Sequence, residues 1–402
     1  MDFNDTPEEA AFREAAKAWL AASAPRFEGA YASWQDGLAR AREWQATKFD
    51  AGWACIRWPK EYGGRGGTAV EDIIFGEEEA DFDLPRGFLL VGPHTCAGAL
   101  LTCANEEQKR RHLPKIARAE EVWCQLFSEP GAGSDLAGLR TRAERDGDEW
   151  VVNGQKVWNS EAHYSDHAIL VARSSPEVPK HKGLTFFIVD MKSPGIEVRP
   201  IKQIPGSAEF NEVYLQNVRI PDSNRIGEVG AGWQVAISTL MNERFSASKG
   251  HPSVADLLAL VLETELDGGP AIRDASIRSR LADWYVAQEG VRLTFARSVT
   301  ALSKGQEPGP QASISKLVMA SQRQEIASFG ADLQEMAGVL VANDGAPHSG
   351  LFQTAYLSAP GGRIAAGTDE ILRNIIAERV LGLPGDIRVD RDVAFTDIPT
   401  RE

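Results

Sequence analysis

The sequence predicts an α+β protein in three successive parts: a helical domain, a small β domain and a second helical domain. Three observations carry this prediction. Apolar residues recur at helical spacing through the first 120 residues; short strand-like runs between Gly, Pro and Ser breaks fill the next hundred; helical spacing returns from about Gly232. A chain of 402 residues also exceeds a single hydrophobic core, so several packed subdomains are expected. The expected boundaries are 1–121, 122–229 and 230–387, with a charged, aperiodic and loose tail over 388–402.

The first helix starts at Thr6-Pro7-Glu8-Glu9: a hydroxyl cap, proline at the first position and a glutamate three residues on. Phe12, Ala16, Trp19 and Leu20 then share one face, and Pro25 ends the segment. Gly63-Gly64-Arg65-Gly66-Gly67 lies between no strand and helix, so it reads as a flexible turn rather than a phosphate loop. Residues 94–119 read as a helical pair broken at Pro114.

In the middle third, Val122–Phe127 is an apolar run that reads as a buried strand. Asp146-Gly147-Asp148 and Asn153-Gly154 are hairpin signals. Ala168–Ala172, Leu184–Asp190, Ile196–Pro200 and Glu212–Leu215 complete a set of strands expected to form a compact barrel or sandwich. The later helices are expected at Val254–Leu266, Ile277–Leu302, Ser313–Met336 and Glu370–Leu381, with Gly382 and Pro384 stopping the last.

Composition bounds the function. A formal net charge of −14 argues for solubility and against a nucleic-acid partner. No apolar run approaches the roughly 20 residues that span a bilayer. Asp2, Asp5, Glu8 and Glu9 open the chain, so neither a secretory nor a mitochondrial targeting segment is read there. Cys55, Cys96, Cys103 and Cys124 have no Cys-x-x-Cys spacing, which points to reduced thiols, a cytoplasmic location and no zinc site. His163 and His167, four apart, lack a third ligand and read as structural, so no metal is expected.

The stretch with the most chemical content is Ser128-Glu129-Pro130-Gly131-Ala132-Gly133-Ser134-Asp135. Its glycines let backbone approach a ligand closely, and successive N–H groups beside two hydroxyls make a nest for an acceptor-rich group. This octet resembles the first signature of the acyl-CoA dehydrogenase family. Trp150–Ser160 looks like that family's second flavin segment, and Gly367-Thr368-Asp369-Glu370-Ile371-Leu372-Arg373 with the residues to Arg379 looks like its C-terminal signature. The resemblance runs from about residue 3 to about 385.

The resemblance implies an N-terminal helical domain, a small β domain and a C-terminal four-helix bundle. It implies FAD as cofactor, an acyl-CoA thioester as substrate, and desaturation between the two carbons beside the thioester carbonyl. By motif position, Gln125, Phe127, Ser128, Gly133 and Ser134 would line the flavin, with Ser134 between flavin and acyl-CoA. Trp158, Asn159 and Ser160 would pack on the isoalloxazine ring, although a tryptophan taken alone is more often core. Thr368 and Glu370 would sit near the FAD phosphates or adenosine, where a helix start attracts anions, and Gly367 near the substrate.

Two departures from the family pattern matter. Many members carry the catalytic glutamate immediately before the signature glycine, where this chain has Ala366. Others place the base in an earlier Glu-Arg pair; Glu243-Arg244, after Gly230-Ala231-Gly232-Trp233, stands at that position. Glu243 is therefore the expected base, with Arg244 positioning acyl-CoA. The family's Arg-x-x-Phe-Gly segment, through which a neighbouring subunit grips FAD, is replaced by Gly268-Gly269-Pro270-Ala271-Ile272-Arg273-Asp274. This resembles bacterial heterotetramers of two related subunits that act on bulky or steroid-derived acyl chains.

The expected activity is thus an acyl-CoA dehydrogenase, as a homotetramer or heterotetramer, passing electrons to an electron-transfer flavoprotein. Two alternatives stay open: a non-catalytic or flavin-sharing subunit of a heteromeric enzyme, and a flavin oxidase or monooxygenase on the same fold.

Overall fold

The computed structural model describes residues 5–243, 252–303, 309–310, 312–340 and 345–399. These divide into two compact units: residues 5–202, 208–243 and 387–399 form one, and residues 203–207 and 252–386 the other.

The larger unit begins with helices α1 (Pro7–Ser23), α2 (Trp34–Asp50) and α3 (Ala69–Glu79). Thr6 and Glu9 close the expected capping box on α1, and Thr68 with Glu71 does the same on α3. Phe12, Ala16 and Leu20 turn one face of α1 onto Trp44, Trp53, Ile74 and Phe75, an aromatic-rich core. The Gly63–Gly67 turn spends its backbone donors internally, Gly66 on Trp58 and Gly67 on Ile56, which leaves no nest for phosphate.

Helices α4 (Ala97–Cys103) and α5 (Glu106–Ala117) follow. Pro114 does not break the second of these. It sits inside α5, where the buried Leu113, Ile116 and Ala117 hold the last turn in place despite the lost hydrogen bond.

The β domain is one eight-stranded sheet: β1 (Trp123–Leu126), β2 (Arg142–Asp146), β3 (Glu149–Val157), β4 (His167–Arg173), β5 (Leu184–Asp190), β6 (Ile196–Ile201), β7 (Phe210–Pro221) and β8 (Arg225–Ile226). The order is β6-β7-β3-β2-β4-β5-β8, with β1 parallel to β4. Strands β4 and β5 are buried on both faces, which is why they read as unbroken apolar runs. Ile169, Val171, Phe186 and Ile188 face α4 and α5; Leu170, Ala172, Phe187 and Val189 face Trp150, Val152, Val213 and Leu215. The sheet curls around this second core.

Asp146-Gly147-Asp148 is the β2–β3 hairpin, with Gly147 at φ +62°. Asn153-Gly154 is not a hairpin. It lies inside β3 at a bulge against β7, and a Cβ at Gly154 would run into Thr141. The tail differs from expectation as well: residues 387–399 belong to this unit and pair with the β4–β5 loop.

Helix α6 (Gly232–Glu243) also packs here, its Val235 and Ala236 beside Phe186 and Leu100. On sequence it opened the third domain.

The second unit holds α7 (Val254–Glu263), a two-residue-strand hairpin β9 (Glu265–Leu266) and β10 (Gly269–Pro270), then α8 (Ala275–Ser303), α9 (Ala312–Leu333), α10 (Leu351–Ile364) and α11 (Asp369–Ile375). Leu257, Val261, Trp284, Ile326 and Phe352 form its core. A Cβ at Gly330 would collide with the Phe352 ring, so α9 and α10 approach through a glycine. Sequence reasoning missed α10 because Pro360, Gly361 and Gly362 interrupt its spacing.

Candidate active site

The octet begins where β1 ends. Glu129 and Ala132 exchange N–H···O=C bonds of 3.0 Å across Pro130-Gly131, closing a tight turn. The Glu129 carboxylate faces inward and accepts from the Arg140 N–H (2.6 Å), the Thr141 N–H (2.8 Å) and Lys156 Nζ (2.8 Å). Lys156, 0% exposed on β3, also donates to the Phe127 carbonyl at 2.9 Å. Burial alone would push the Glu129 carboxyl up, but the Lys156 ammonium and the two backbone donors outweigh it and hold the carboxyl below its usual range. Sequence reasoning missed this pair, whose members stand 27 residues apart.

Pinned from within, the turn presents its outer side. Gly131 and Gly133 have no atom within 4 Å of where a Cβ would stand. The N–H groups of Gly131, Gly133 and Ser134, and the Ser128 and Ser134 hydroxyls, have no protein partner among the described residues.

Beside this ribbon β3 ends at Val157 and Trp158 follows it, its backbone left-handed (φ +63°) and the residue 59% exposed. A large indole held outward on a strained backbone is a feature of binding surfaces. Phe210 braces it edge-on, with centroids 6.1 Å apart. Asn159 is buried: its Nδ2 donates to the Gln125 carbonyl at 2.8 Å and its carbonyl accepts from Asn211 Nδ2 at 2.8 Å, which ties the β3 end to β1. Asn159 Oδ1 has no partner among the described residues. Phe127 lies in the core against Phe186, beneath the ribbon.

The structure therefore brings Gln125, Phe127, Ser128, Gly133, Ser134, Trp158, Asn159 and Ser160 together in one unit. Its donor-rich turn and open indole fit a flat, acceptor-rich ring system such as a flavin, with Ser128, Ser134 and Trp158 as the groups that would touch it.

The C-terminal signature lies in the second unit. Ala366 (φ +53°) and Gly367 (φ +94°) make a left-handed corner, and Lys316 Nζ donates to the Gly367 carbonyl at 2.7 Å. Thr368 caps α11 by accepting from the Ile371 N–H at 3.3 Å. Arg363 holds the buried Asp369 through Nε (2.7 Å) and Nη2 (2.5 Å). Glu370 is exposed, its carboxyl held low by the backbone N–H and the Thr368 hydroxyl at the helix start. Arg244 lies outside the described residues. Of Glu243 only its place is described: it is the last residue of α6.

Two further clusters were not legible in the sequence. Glu161 (φ +67°, 5% exposed) accepts from the Leu90 N–H at 3.2 Å, and burial pushes its carboxyl up to about 8. His112, Glu121 and His167 place ligand-type atoms within 4.8 Å of one another. Glu121 already accepts from Trp123 Nε1 and Lys115 Nζ, both at 3.1 Å, and is held at about 2 against burial by His112, His167 and Lys115. His163 packs instead on Trp34 and Tyr164. All four cysteines are free thiols. No described helix is long and apolar enough to cross a membrane.

The chain is similar to known proteins over most of its length. Residues 6–120, 124–218 and 230–381 match the N-terminal, middle and C-terminal domains of acyl-CoA dehydrogenases. Acyl-CoA dehydrogenase IpdE1 of Mycobacterium tuberculosis is 38% identical over 352 residues, covering 86% of this chain and 89% of that one. Acyl-CoA dehydrogenase FadE34 of the same organism is 38% identical over 343 residues, covering 85% of this chain, which spans 46% of that protein's length. Among solved structures, the ChsE4–ChsE5 complex from Mycobacterium tuberculosis superposes with a TM-score of 0.81 at 30% identity, covering 96% of this chain and 100% of that one. The Tcur3481–Tcur3483 steroid ACAD gives 0.79 at 28%, with coverage of 96% and 100%. The chain belongs to the acyl-CoA dehydrogenase family of FAD-dependent oxidoreductases.

Proposed function

We propose that this chain is the flavin-bearing, catalytic subunit of an acyl-CoA dehydrogenase that introduces a 2,3 double bond into an acyl-CoA thioester. One observation carries the reading: the unspent donors of Ser128, Gly131, Gly133 and Ser134 stand on the turn next to the exposed Trp158. FAD, when bound, supplies the hydride acceptor.

Glu243 takes the proton from the carbon next to the thioester carbonyl. Ala366 has no group that can accept a proton, and the Glu-Arg pair at 243–244 is the family's other position for the base. The reaction needs a base partly removed from water, so that its pKa rises toward the working pH. Charge developing on the thioester oxygen needs fixed donors. Arg244 and Gly367 position the acyl-CoA, Ser134 contacts both substrate and cofactor, and Thr368 and Glu370 serve the adenosine and phosphate end.

The chain works in a heterotetramer with a related subunit, on bulky, steroid-derived acyl chains, and passes electrons to an electron-transfer flavoprotein. In place of the family's FAD-gripping segment this chain has the β9–β10 hairpin, with Arg273, Arg278 and Arg280 as its nearby cations, which favours a related subunit, rather than a second copy of this chain, as the source of that grip. Helix α8 also exposes Val286 and Leu293, seven residues apart and so on one face, apolar surface suited to a partner. The neighbours ChsE4–ChsE5 and Tcur3481–Tcur3483 are two-component complexes.

The test is Glu243→Gln in the assembled enzyme, assayed with straight-chain, branched and steroid-derived acyl-CoAs. The variant keeps its yellow chromophore and loses about three powers of ten in rate, by analogy with loss of a sole base. Near-normal turnover moves the base elsewhere. A colourless assembly reduces the chain to an accessory subunit. Wild-type turnover with oxygen matching that with an artificial acceptor makes it an oxidase.

A further inference from the structure

The C-terminal residues 387–399 are charged and mostly exposed, with Ile387 and Val389 almost fully in water. Few contacts hold them, and those contacts converge on one place. Ala394 bridges to Pro179, the Phe395 N–H donates to the Val178 carbonyl at 3.0 Å, and the Thr396 N–H donates to the Pro176 carbonyl at 3.1 Å. The Phe395 ring lies 3.5 Å from the centre of the Arg173 guanidinium.

Arg173 is buried and organises the chain just beyond the octet. It donates to the carbonyls of Ala137 (2.5 Å), Leu139 (3.0 Å) and Lys180 (3.2 Å). Lys180, also buried, reaches both carboxylate oxygens of Asp135 at 2.9 Å and Asp390 at 2.7 Å. Asp135 is the last residue of the octet. One ammonium thus ties the end of the ligand-facing ribbon to the tail, and one aromatic ring covers the guanidinium that holds the Ala137 and Leu139 carbonyls just after it. Burial works against the Lys180 charge, but its two carboxylate partners raise its pKa above the ordinary value, so the clamp is charged at neutral pH.

We propose that the C-terminal segment is a strap that positions the flavin-binding turn, with Phe395 and Asp390 as positioning residues acting through Arg173 and Lys180. The segment touches the turn's anchor rather than its outer side, so it leaves the ribbon's free donors open. A ligand that needs the turn ordered favours the seated tail, and a seated tail favours the ligand by the same factor. An exposed strap held by few contacts belongs to the least stable part of a fold, where such coupling is readable. This rests on the ribbon being the flavin site.

The test uses the assembled enzyme and FAD itself. Wild type, Phe395→Ala, Phe395→Tyr, Asp390→Asn and a chain ending at Asp386 are stripped of flavin and titrated with FAD by fluorescence. Amide hydrogen exchange of residues 387–399 is followed in wild type with and without FAD. Phe395→Ala and the shortened chain are expected to bind FAD at least tenfold more weakly, a factor within the usual range of coupling between sites. Phe395→Tyr keeps the ring over Arg173 and stays close to wild type. In wild type, FAD slows exchange in the tail. The exchange arm needs no variant, so a misfolded truncation cannot hide the outcome. Unchanged FAD affinity in Phe395→Ala together with exchange indifferent to FAD overturns the strap alone. Failure of wild type to bind FAD overturns the flavin reading of the ribbon and the strap with it.

Discussion

Removing Lys156 is the sharpest test of how the ribbon is held. Lys156→Met replaces a fully buried ammonium with an apolar chain of similar length. It deletes the 2.8 Å contact to Glu129 and the 2.9 Å bond to the Phe127 carbonyl. Glu129, with a side chain only 8% exposed, then keeps two backbone donors but no counter-ion. Breaking a buried pair from one side costs about 3–5 kcal/mol, because the surviving charge stays stranded away from water. Glu129→Gln strands Lys156 instead and should cost a similar amount. The double variant strands neither, and its cost should fall about 2 kcal/mol or more short of the summed single effects. The assay is a double-mutant cycle in urea, with hydrogen exchange of residues 127–132 reporting the turn. The pH dependence has a definite sign. The Glu129 carboxyl is held below its ordinary value, so its contribution is complete above the unfolded carboxylate range and is lost as pH falls through the lower folded value. A Lys156→Met protein as stable as wild type, or strictly additive costs, would refute the claim that this pair holds the turn.

Two further predictions concern neighbouring residues. Glu161 is raised from 4.5 to about 8, so its neutral form is the one that fits the fold; stability associated with it is full below the unfolded value and drains away as pH climbs toward 8. Glu161→Gln should flatten that decline, which is on the order of 3–5 kcal/mol, and denaturation midpoints between pH 5 and 8.5 parallel to wild type would count against it. Trp158→Gly relieves a left-handed backbone on an exposed side chain, so the flavin-free protein should be unchanged or up to about 1 kcal/mol more stable, while FAD affinity drops at least tenfold. A fall in both quantities together would make Trp158 a structural residue.

Much of the fold was legible because the signals were local. Thr6 and Glu9 cap a helix wherever they fall, and Asp146-Gly147-Asp148 turns a hairpin without outside help. Asn153-Gly154 gives the same kind of signal, but β7 pairs past it and Thr141 crowds its glycine, so tertiary packing converts a turn signal into a bulge. Pro114 is likewise overruled by the burial around it. At the site, the residues that face outward carried recognisable types: glycine, serine, tryptophan. The residues that hold them there did not. Lys156 alternates into a strand, Arg173 and Lys180 look like ordinary surface charges, and Phe395 sits in a segment without periodicity. Their partners lie far away along the chain, and no window of sequence contains both ends.

The glycine at position 330 has a reach beyond its own neighbourhood. Because the Phe352 ring occupies the space a methyl group would need there, the separation of α9 and α10 is dictated by an absent atom. At the far end of α10, Arg363 reaches Gln324 midway along α9 at 3.0 Å and grips Asp369. Widening that contact by a single carbon would therefore be transmitted along α10 to Arg363, and through it to the helix start that follows the left-handed corner of the signature.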